Sequence, residues 1–183
     1  KAAKTIELLD HVMTPGFING HSHLELTALR GRIPYKKNFL HWARQIMLIR
    51  KDWGKEDLKK STEEGLEELI NGGCTTVVDY SHQGQSFATL KKAPIRCQAL
   101  YEVLQFDTSQ ISAEKKKIET YLKKPNGKRI TRGLAAHAPY TVHPKLIGWC
   151  LKKNIPTSIH LSELKEELDF LEKDDPNNPF IKL

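Results

Sequence analysis

Apolar residues recur along the chain in short blocks whose spacing alternates between that of a strand and that of a helix. Residues 16–20 form a short apolar run that ends against two histidines, which predicts an opening strand. The next apolar positions lie three and four residues apart, which is helix spacing, at Phe39, Trp42, Ile46 and Ile49. A second helix is predicted over 55–71, and Gly72-Gly73 ends it in the manner of a C-cap.

The same alternation continues to the end of the chain. Further strands are predicted over 74–80, 95–104, 132–137 and 156–160, and further helices over 86–91, 113–124, from Pro144, and over 164–173. Ser112 is predicted to cap the helix over 113–124, and the turn-rich stretch 174–179 to be a loop. Strand and helix alternate five times, which predicts an α/β fold with parallel strands. Two closures stay open: a doubly wound five-stranded sheet, or an eight-stranded barrel from which three units are missing.

The composition is that of an ordinary globular domain. The chain has 183 residues, of which 39% are hydrophobic and 28% charged, enough apolar material for one core. It contains neither a membrane-length apolar window nor a signal-peptide core, so no membrane span and no export are expected. The cysteines Cys74, Cys97 and Cys150 are far apart and form no C-x-x-C pair, which argues against disulfides and fits the cytoplasm.

The net charge of +7 does not change this picture. The lysines are spread in pairs and triplets over several predicted helices, for example Lys59-Lys60 and Lys115-Lys116-Lys117. Solvated helix faces explain that distribution better than a single binding stripe does. No RNP-like aromatic pattern, zinc finger or basic zipper accompanies the lysines, so nucleic acid is not an expected partner.

Histidines mark the ends of the predicted strands. His21 and His23 are two residues apart, so both point to one face of the first strand, a geometry that suits two metal ligands. His137 ends the fourth strand and His160 the fifth, and the carboxyl ends of parallel strands converge on the site in barrels. His82, just after the second strand, stays ambiguous. Structural or solvent-facing positions are predicted for the remaining histidines: His11 precedes the first strand, His41 lies on a helix, and His143 stands at the N-cap position before Pro144.

A carboxylate follows the last of these histidines. Glu163 lies three residues after His160, an arrangement that suits a metal ligand paired with a proton shuttle. The alternative is that Glu163 simply starts the next helix, since acids are favourable near the positive end of a helix. The spacing alone leaves both interpretations open.

Three ordered motifs resemble a known family. They are PGFINGHSHLE at 15–25, His137-Ala138-Pro139-Tyr140-Thr141, and His160-Leu161-Ser162-Glu163 followed by Glu166-Glu167. Together they resemble the amidohydrolase superfamily, in the cytosine-deaminase-like branch that includes S-adenosylhomocysteine and methylthioadenosine deaminases, guanine deaminase and triazine hydrolases. The resemblance runs from about Asp10 to the end of the chain.

The resemblance implies a (β/α)8 TIM-type barrel, of which this chain covers about the first five βα units, and one divalent metal ion, zinc by preference or iron. It implies a hydrolytic deaminase in which metal-bound hydroxide attacks the amine-bearing ring carbon of an adenine nucleoside or related heterocycle. Carried onto this sequence, it makes His21, His23 and His160 metal ligands and Glu163 the acid/base. The substrate-binding residues that we predict are His137, Glu25, Trp42 and Glu102.

The departures from the family pattern matter as well. Members take a further histidine from strand six and a metal-binding aspartate from strand eight, and neither unit is present here. We therefore expect residues 1–14 to be a lead-in from a β-sandwich, and 15–183 to be the N-terminal part of a barrel from a protein roughly twice as long. The isolated chain is expected to lack turnover, and its open sheet edges to favour homo-oligomers.

The substrate is the least determined property. His23-Leu24-Glu25-Leu26, the stretch 30–34 and strand three most resemble aminofutalosine-deaminase-type members, which act on an adenine nucleoside. We predict that Arg50-Lys51 stands where adenosylhomocysteine deaminases carry a ribose-binding glutamate, and that the carboxylate-binding arginine of strand three is replaced near Tyr101. Two alternatives remain: hydrolysis of another leaving group, such as chloride from a triazine, and a truncated, non-catalytic α/β binding module.

Overall fold

A computed structural model describes residues 3–36, 38–173 and 175–182. The strands are β1 (Phe17–Ser22), β2 (Cys74–His82), β3 (Arg96–Val103), β4 (Ile130–Ala136) and β5 (Thr157–Ser158). The α-helices are α1 (Phe39–Lys51), α2 (Lys55–Asn71), α3 (Phe87–Leu90), α4 (Ile111–Lys123), α5 (Pro144–Leu151) and α6 (Lys165–Glu172). Short 3-10 helices cover Leu24–Leu29, Thr108–Gln110 and Pro179–Lys182. None of the described helices is long and apolar enough to cross a membrane.

The strand order decides the closure that the sequence left open. The five strands are parallel and lie in the order β1-β2-β3-β4-β5, so each strand pairs with the next one along the chain. Right-handed crossovers that always step in one direction place every helix on the same face, whereas a doubly wound sheet reverses its order at a switch point. The sheet is therefore a curled half-barrel, which confirms the predicted partial (β/α)8 TIM-type fold.

The registers align the carboxyl ends of the strands. In the pairing of β2 with β3, His82 lies opposite Glu102, and in that of β3 with β4, Val103 lies opposite Ala136. The pairing of β1 with β2 is less regular, with a shift between Asn19 and Ser22. The residues that follow the strands therefore meet along one rim.

The core lies between the sheet and the helices. Fully buried strand residues such as Val77 and Leu134 contact buried helix residues such as Leu90 and Ile118. The approach of β4 to β5 requires a glycine, because a Cβ on Gly133 would lie 2.6 Å from the carbonyl oxygen of Pro156 and 2.4 Å from Leu100 Cδ2. This close packing lets β5 pair directly with β4 in the barrel wall.

Most of the predicted helix ends are confirmed. Gly73 adopts the left-handed conformation, with φ +83°, directly after α2. His143 caps α5, accepting a hydrogen bond at Nδ1 from the backbone N–H of Lys145 at 3.1 Å, with Pro144 in the first turn. The prediction for Ser112 is wrong, because α4 begins one residue before it, at Ile111.

Asp107 takes the capping role there. Its carboxylate accepts the N–H of Ser109 at 2.8 Å and so starts the 3-10 turn Thr108–Gln110, which continues into α4. The helix begins earlier than the pattern predicts because this turn supplies its first hydrogen bonds.

Other differences concern β5 and the segments at the two ends of the chain. The regular part of β5 is shorter than predicted, although the N–H of His160 still donates to the carbonyl of His137 at 2.7 Å and keeps the chain beside β4. The predicted loop 174–179 includes residue 174, outside the described residues, and the 3-10 helix Pro179–Lys182 begins at its end. Residues 3–14 form no helix or strand, and their assignment as a lead-in stays a prediction.

Candidate metal and active site

Three imidazoles from two strand ends converge on the rim of the half-barrel. The Nε2 atoms of His21 and His23 are 3.3 Å apart. Two nitrogens bound at 2.0–2.1 Å to one tetrahedral ion would be separated by about 3.4 Å, so this spacing suits a shared ion. The ring of His160 lies 4.8 Å from that of His21 and 5.5 Å from that of His23, between centroids. These three residues form a group that could hold a metal ion.

The lowered pKa values of His21 and His23 favour metal binding. Burial lowers the pKa of His23 to about 4, and burial together with nearby His160 lowers the pKa of His21. Both rings are therefore neutral near pH 7, and neutral imidazole is the form that ligates a metal. For His160, burial is outweighed by the nearby carboxylates of Glu102 and Glu163, which raise its pKa.

Glu163 and Glu102 lie on opposite sides of the His160 ring. Glu163 Oε1 is 3.2 Å from His160 Nδ1, and its side chain is 42% exposed. Glu102 Oε1 is 3.6 Å from His160 Nε2 and 3.9 Å from His23 Nδ1. A proton-transfer group needs access, which the exposed Glu163 side chain has, and its role as the acid/base stays a prediction.

Glu102 is a buried negative charge within this cluster. Burial would raise its pKa, but the neighbouring His160, His23 and His137 lower it overall. Its Oε1 has no hydrogen-bond partner among the described residues. Glu102, His137 and His160 form a second group that could hold a cation. The structure thus brings Glu102 into the site, and its predicted contact with substrate stays a prediction.

His137 is held in one orientation. Its Nδ1 lies 2.7 Å from Thr141 Oγ1, and the Thr141 hydroxyl itself donates to the carbonyl of Ala138 at 3.2 Å. Because the hydroxyl has one proton, the short contact is best made by His137 donating through Nδ1–H. The ring then presents Nε2 as an acceptor, which is available to a ligand.

Glu25 is buried and bonded to other residues of the protein. Its side chain is 2% exposed, and it accepts hydrogen bonds from Ser81 Oγ at 3.0 Å and from the N–H of His82 at 3.2 Å. The guanidinium of Arg50 pairs with it at 2.5 Å and so attaches α1 to the segment that follows His23. Burial raises the pKa of Glu25 to about 7, with Arg50 acting in the opposite direction. A direct contact with substrate stays a prediction.

Trp42 lies on α1, and His82 is the last residue of β2. Trp42 is half-buried on α1, where its ring packs against Phe39 at 5.8 Å. Its role in substrate binding stays a prediction. His82, which the sequence left ambiguous, is half-buried beside Glu25, and its Nδ1 has no hydrogen-bond partner among the described residues.

Sequence reasoning missed two residues that build this site. Asp79 is fully buried on β2, where Oδ1 accepts the N–H of Leu24 at 2.8 Å and Oδ2 accepts the Ser86 hydroxyl at 2.5 Å. Tyr80 stacks on His21 at 4.2 Å between ring centroids, and its hydroxyl contacts Ser158 Oγ at 2.8 Å. The signal for Asp79 was a lone acid in a buried β-branched run; Tyr80 carried none, because an aromatic residue is ordinary in a strand.

The fold and this rim of histidines define a class of protein. The sequence model described as the amidohydrolase family matches residues 12–174, so the chain belongs to that family, as its motifs predict.

Particular relatives follow. The 5-methylthioadenosine/S-adenosylhomocysteine deaminase of Pyrococcus furiosus is 32% identical over 189 residues, covering 94% of this chain and 43% of the relative. The 5'-deoxyadenosine deaminase of Methanocaldococcus jannaschii is 28% identical over 191 residues, covering 99% and 45%. The chain thus spans less than half the length of these relatives.

Solved structures agree on the fold. The aminofutalosine deaminase of Helicobacter pylori in complex with methylthio-coformycin superposes with a TM-score of 0.74 at 23% identity, covering 88% of this chain and 40% of that one. An adenosine deaminase from Xanthomonas campestris with bound zinc gives a TM-score of 0.72 at 21% identity, covering 92% and 40%. At these identities the likeness establishes the barrel architecture.

Proposed function

We propose that this chain carries the strand-one to strand-five part of the active site of a metal-dependent hydrolytic deaminase acting on an adenine nucleoside or a related aminated heterocycle. One observation carries the proposal: His21, His23 and His160 converge, with the Glu163 carboxylate 3.2 Å from His160. The names of the relatives, which are deaminases of adenosine derivatives, support the substrate class.

The donor set fits a divalent ion. Three imidazoles, two of them neutral at pH 7 by burial, suit zinc or iron, and we propose zinc, which is bound in one of the similar structures. When bound, such an ion lowers the pKa of a coordinated water toward neutrality and so supplies the nucleophile. His21, His23 and His160 would hold it.

The chain's own side chains would then move protons and bind substrate. Glu163 would take one proton from the attacking water and deliver it to the ring nitrogen as the carbon–oxygen bond forms. It would then take the second proton from the same oxygen and deliver it to the amine, so that the carbon–nitrogen bond breaks, ammonia leaves and the ring carbon keeps the oxygen as a carbonyl. His137 offers Nε2 as an acceptor to a substrate donor, and Glu102 offers Oε1, which lies near His160 and His23 but accepts no hydrogen bond from the described residues. We propose both as substrate contacts, together with Trp42 and Glu25.

Two further properties belong to the same proposal. The substrate is a small molecule, and neither nucleic acid nor membrane is needed for its recognition. The three cysteines are free, which supports a reducing compartment such as the cytoplasm.

The test uses the full-length protein, loaded with zinc and incubated with adenosine, 5'-deoxyadenosine, 5-methylthioadenosine and guanine. Ammonia release from at least one adenine nucleoside is expected, together with its loss in Glu163→Gln. His21→Ala should lose zinc by elemental analysis, whereas His41→Ala, which replaces an exposed histidine on α1, should keep it. Full zinc content in His21→Ala, or ammonia from none of the nucleosides, would refute the proposal. The 183-residue chain alone is expected to release no ammonia.

A further inference from the structure

We infer that Glu167 is the positioning residue that holds Glu163 in place for proton transfer, an inference that rests on the proposed function. Glu167 lies in the first turn of α6, and its side chain is 1% exposed. Its Oε2 accepts the backbone N–H of Glu163 at 2.9 Å. A carboxylate is buried to this extent only where it has specific partners, so this contact is not a by-product of a solvated helix end.

The bond differs from an ordinary capping box. In a capping box the acid at the third helical position bonds the N–H of the N-cap residue, which here is Leu164. Glu167 occupies that third position but bonds the residue before the cap, Glu163. The helix dipole has another acid at the same end, because Glu166 lies exposed in the same turn. Helix stability alone therefore does not require Glu167 to be buried against Glu163.

The loop between His160 and Glu163 needs such a restraint. Ser162 has φ +59°, the left-handed region that residues other than glycine rarely adopt. The conformation turns the chain sharply after His160 and brings Glu163 Oε1 back to 3.2 Å from His160 Nδ1. The hydrogen bond from Glu163 N–H to Glu167 fixes the end of that turn, and with it the starting point of the Glu163 side chain.

The second oxygen strengthens the assignment. Glu167 Oε1 is buried without a hydrogen-bond partner among the described residues. A buried, partly unsatisfied carboxylate is unfavourable for folding and is usually retained where it serves a site. Here the other carboxylate oxygen, Glu167 Oε2, accepts the backbone N–H of Glu163, the proposed acid/base.

The experiment compares three variants of the zinc-loaded full-length protein: Glu167→Ala, Glu167→Gln and the matched control Glu166→Ala. Glu167→Ala removes the acceptor, and kcat should fall about 100-fold, the scale expected when a reacting group is misplaced by about 1 Å. KM and zinc content should stay unchanged, and hydrogen exchange at the Glu163 amide should accelerate. Glu167→Gln keeps an acceptor oxygen and should restore kcat, while Glu166→Ala should behave as the wild type.

Several results would overturn the inference. If Glu163→Gln abolishes turnover but Glu167→Ala keeps wild-type kcat, positioning by Glu167 is wrong and the proposed function stands. If Glu163→Gln retains turnover, the proposed acid/base itself fails, and the inference fails with it. If Glu167→Ala has a lower zinc content and a lower melting temperature as well as a lower kcat, the role of Glu167 is structural. The same conclusion follows if Glu167→Gln folds but does not restore kcat.

Discussion

The buried carboxylate of Asp79 should impose a pH dependence on stability that one substitution removes. Asp79 is fully buried, and burial raises its pKa from 3.8 to about 6 despite hydrogen bonds from Ser86 and Leu24. A folded-state pKa above the unfolded one means that the folded protein binds the proton more tightly. Ionised Asp79 therefore opposes folding at pH 7, and this penalty disappears as the pH falls through 6 toward 4.

The magnitude follows from the shift. A pKa difference of about two units corresponds to about 3 kcal/mol, at 1.36 kcal/mol per unit. Asp79→Asn has no charge to bury and keeps an acceptor oxygen for the N–H of Leu24. Because part of this penalty is already present at pH 4, the stability of the wild type relative to Asp79→Asn should fall by about 2–3 kcal/mol between pH 4 and pH 7.

The assay is urea denaturation of both proteins at pH 4, 5, 6 and 7, with a chelator present so that metal binding does not contribute. Comparing the two proteins at each pH cancels the titration of the other histidines and carboxylates. A difference in unfolding free energy that stays constant from pH 4 to 7 would refute the raised pKa. Asp79→Ala serves as a second comparison, because it also leaves two buried donors unpaired and should be destabilised by about 2–6 kcal/mol at every pH.

Further predictions concern packing, ion pairing and metal linkage. Gly133→Ala should destabilise the protein by about 1–3 kcal/mol in urea, because its Cβ would lie 2.6 Å from the Pro156 carbonyl. Gly148→Ala is the control: it lies in α5 with no atom within 4 Å of its Cβ, and it should stabilise by about 1 kcal/mol. Arg50→Ala leaves Glu25 buried without its cation and should lower the free energy of unfolding by about 3–5 kcal/mol at pH 8. The loss should be smaller at pH 6, where Glu25 is protonated. The double variant Arg50→Ala with Glu25→Gln should regain most of the lost stability at pH 8. Zinc at 100 times its Kd should stabilise the wild type by about 2.7 kcal/mol and leave His23→Ala unchanged, as thermal denaturation would show.

The sequence by itself determined the features that arise from neighbouring residues. The alternation of strand and helix follows from the local spacing of hydrophobic residues. The end of α2 at Gly73 and the cap of α5 at His143 follow from the residue types at the helix ends. The histidines could be placed at strand ends because side-chain direction follows from secondary structure, and parallel strands share a rim. The resemblance to the amidohydrolase family then implied the barrel, which the hydrophobic pattern alone left open.

Tertiary structure alone decided how distant segments pair. The strand order, which separates a barrel from a doubly wound sheet, depends on which strands exchange hydrogen bonds across long crossovers. Asp79 meets the N–H of Leu24 from 55 positions away, and Arg50 pairs with Glu25 from 25 positions away. No local pattern encodes such contacts, because a buried carboxylate takes whichever donors the fold brings within reach.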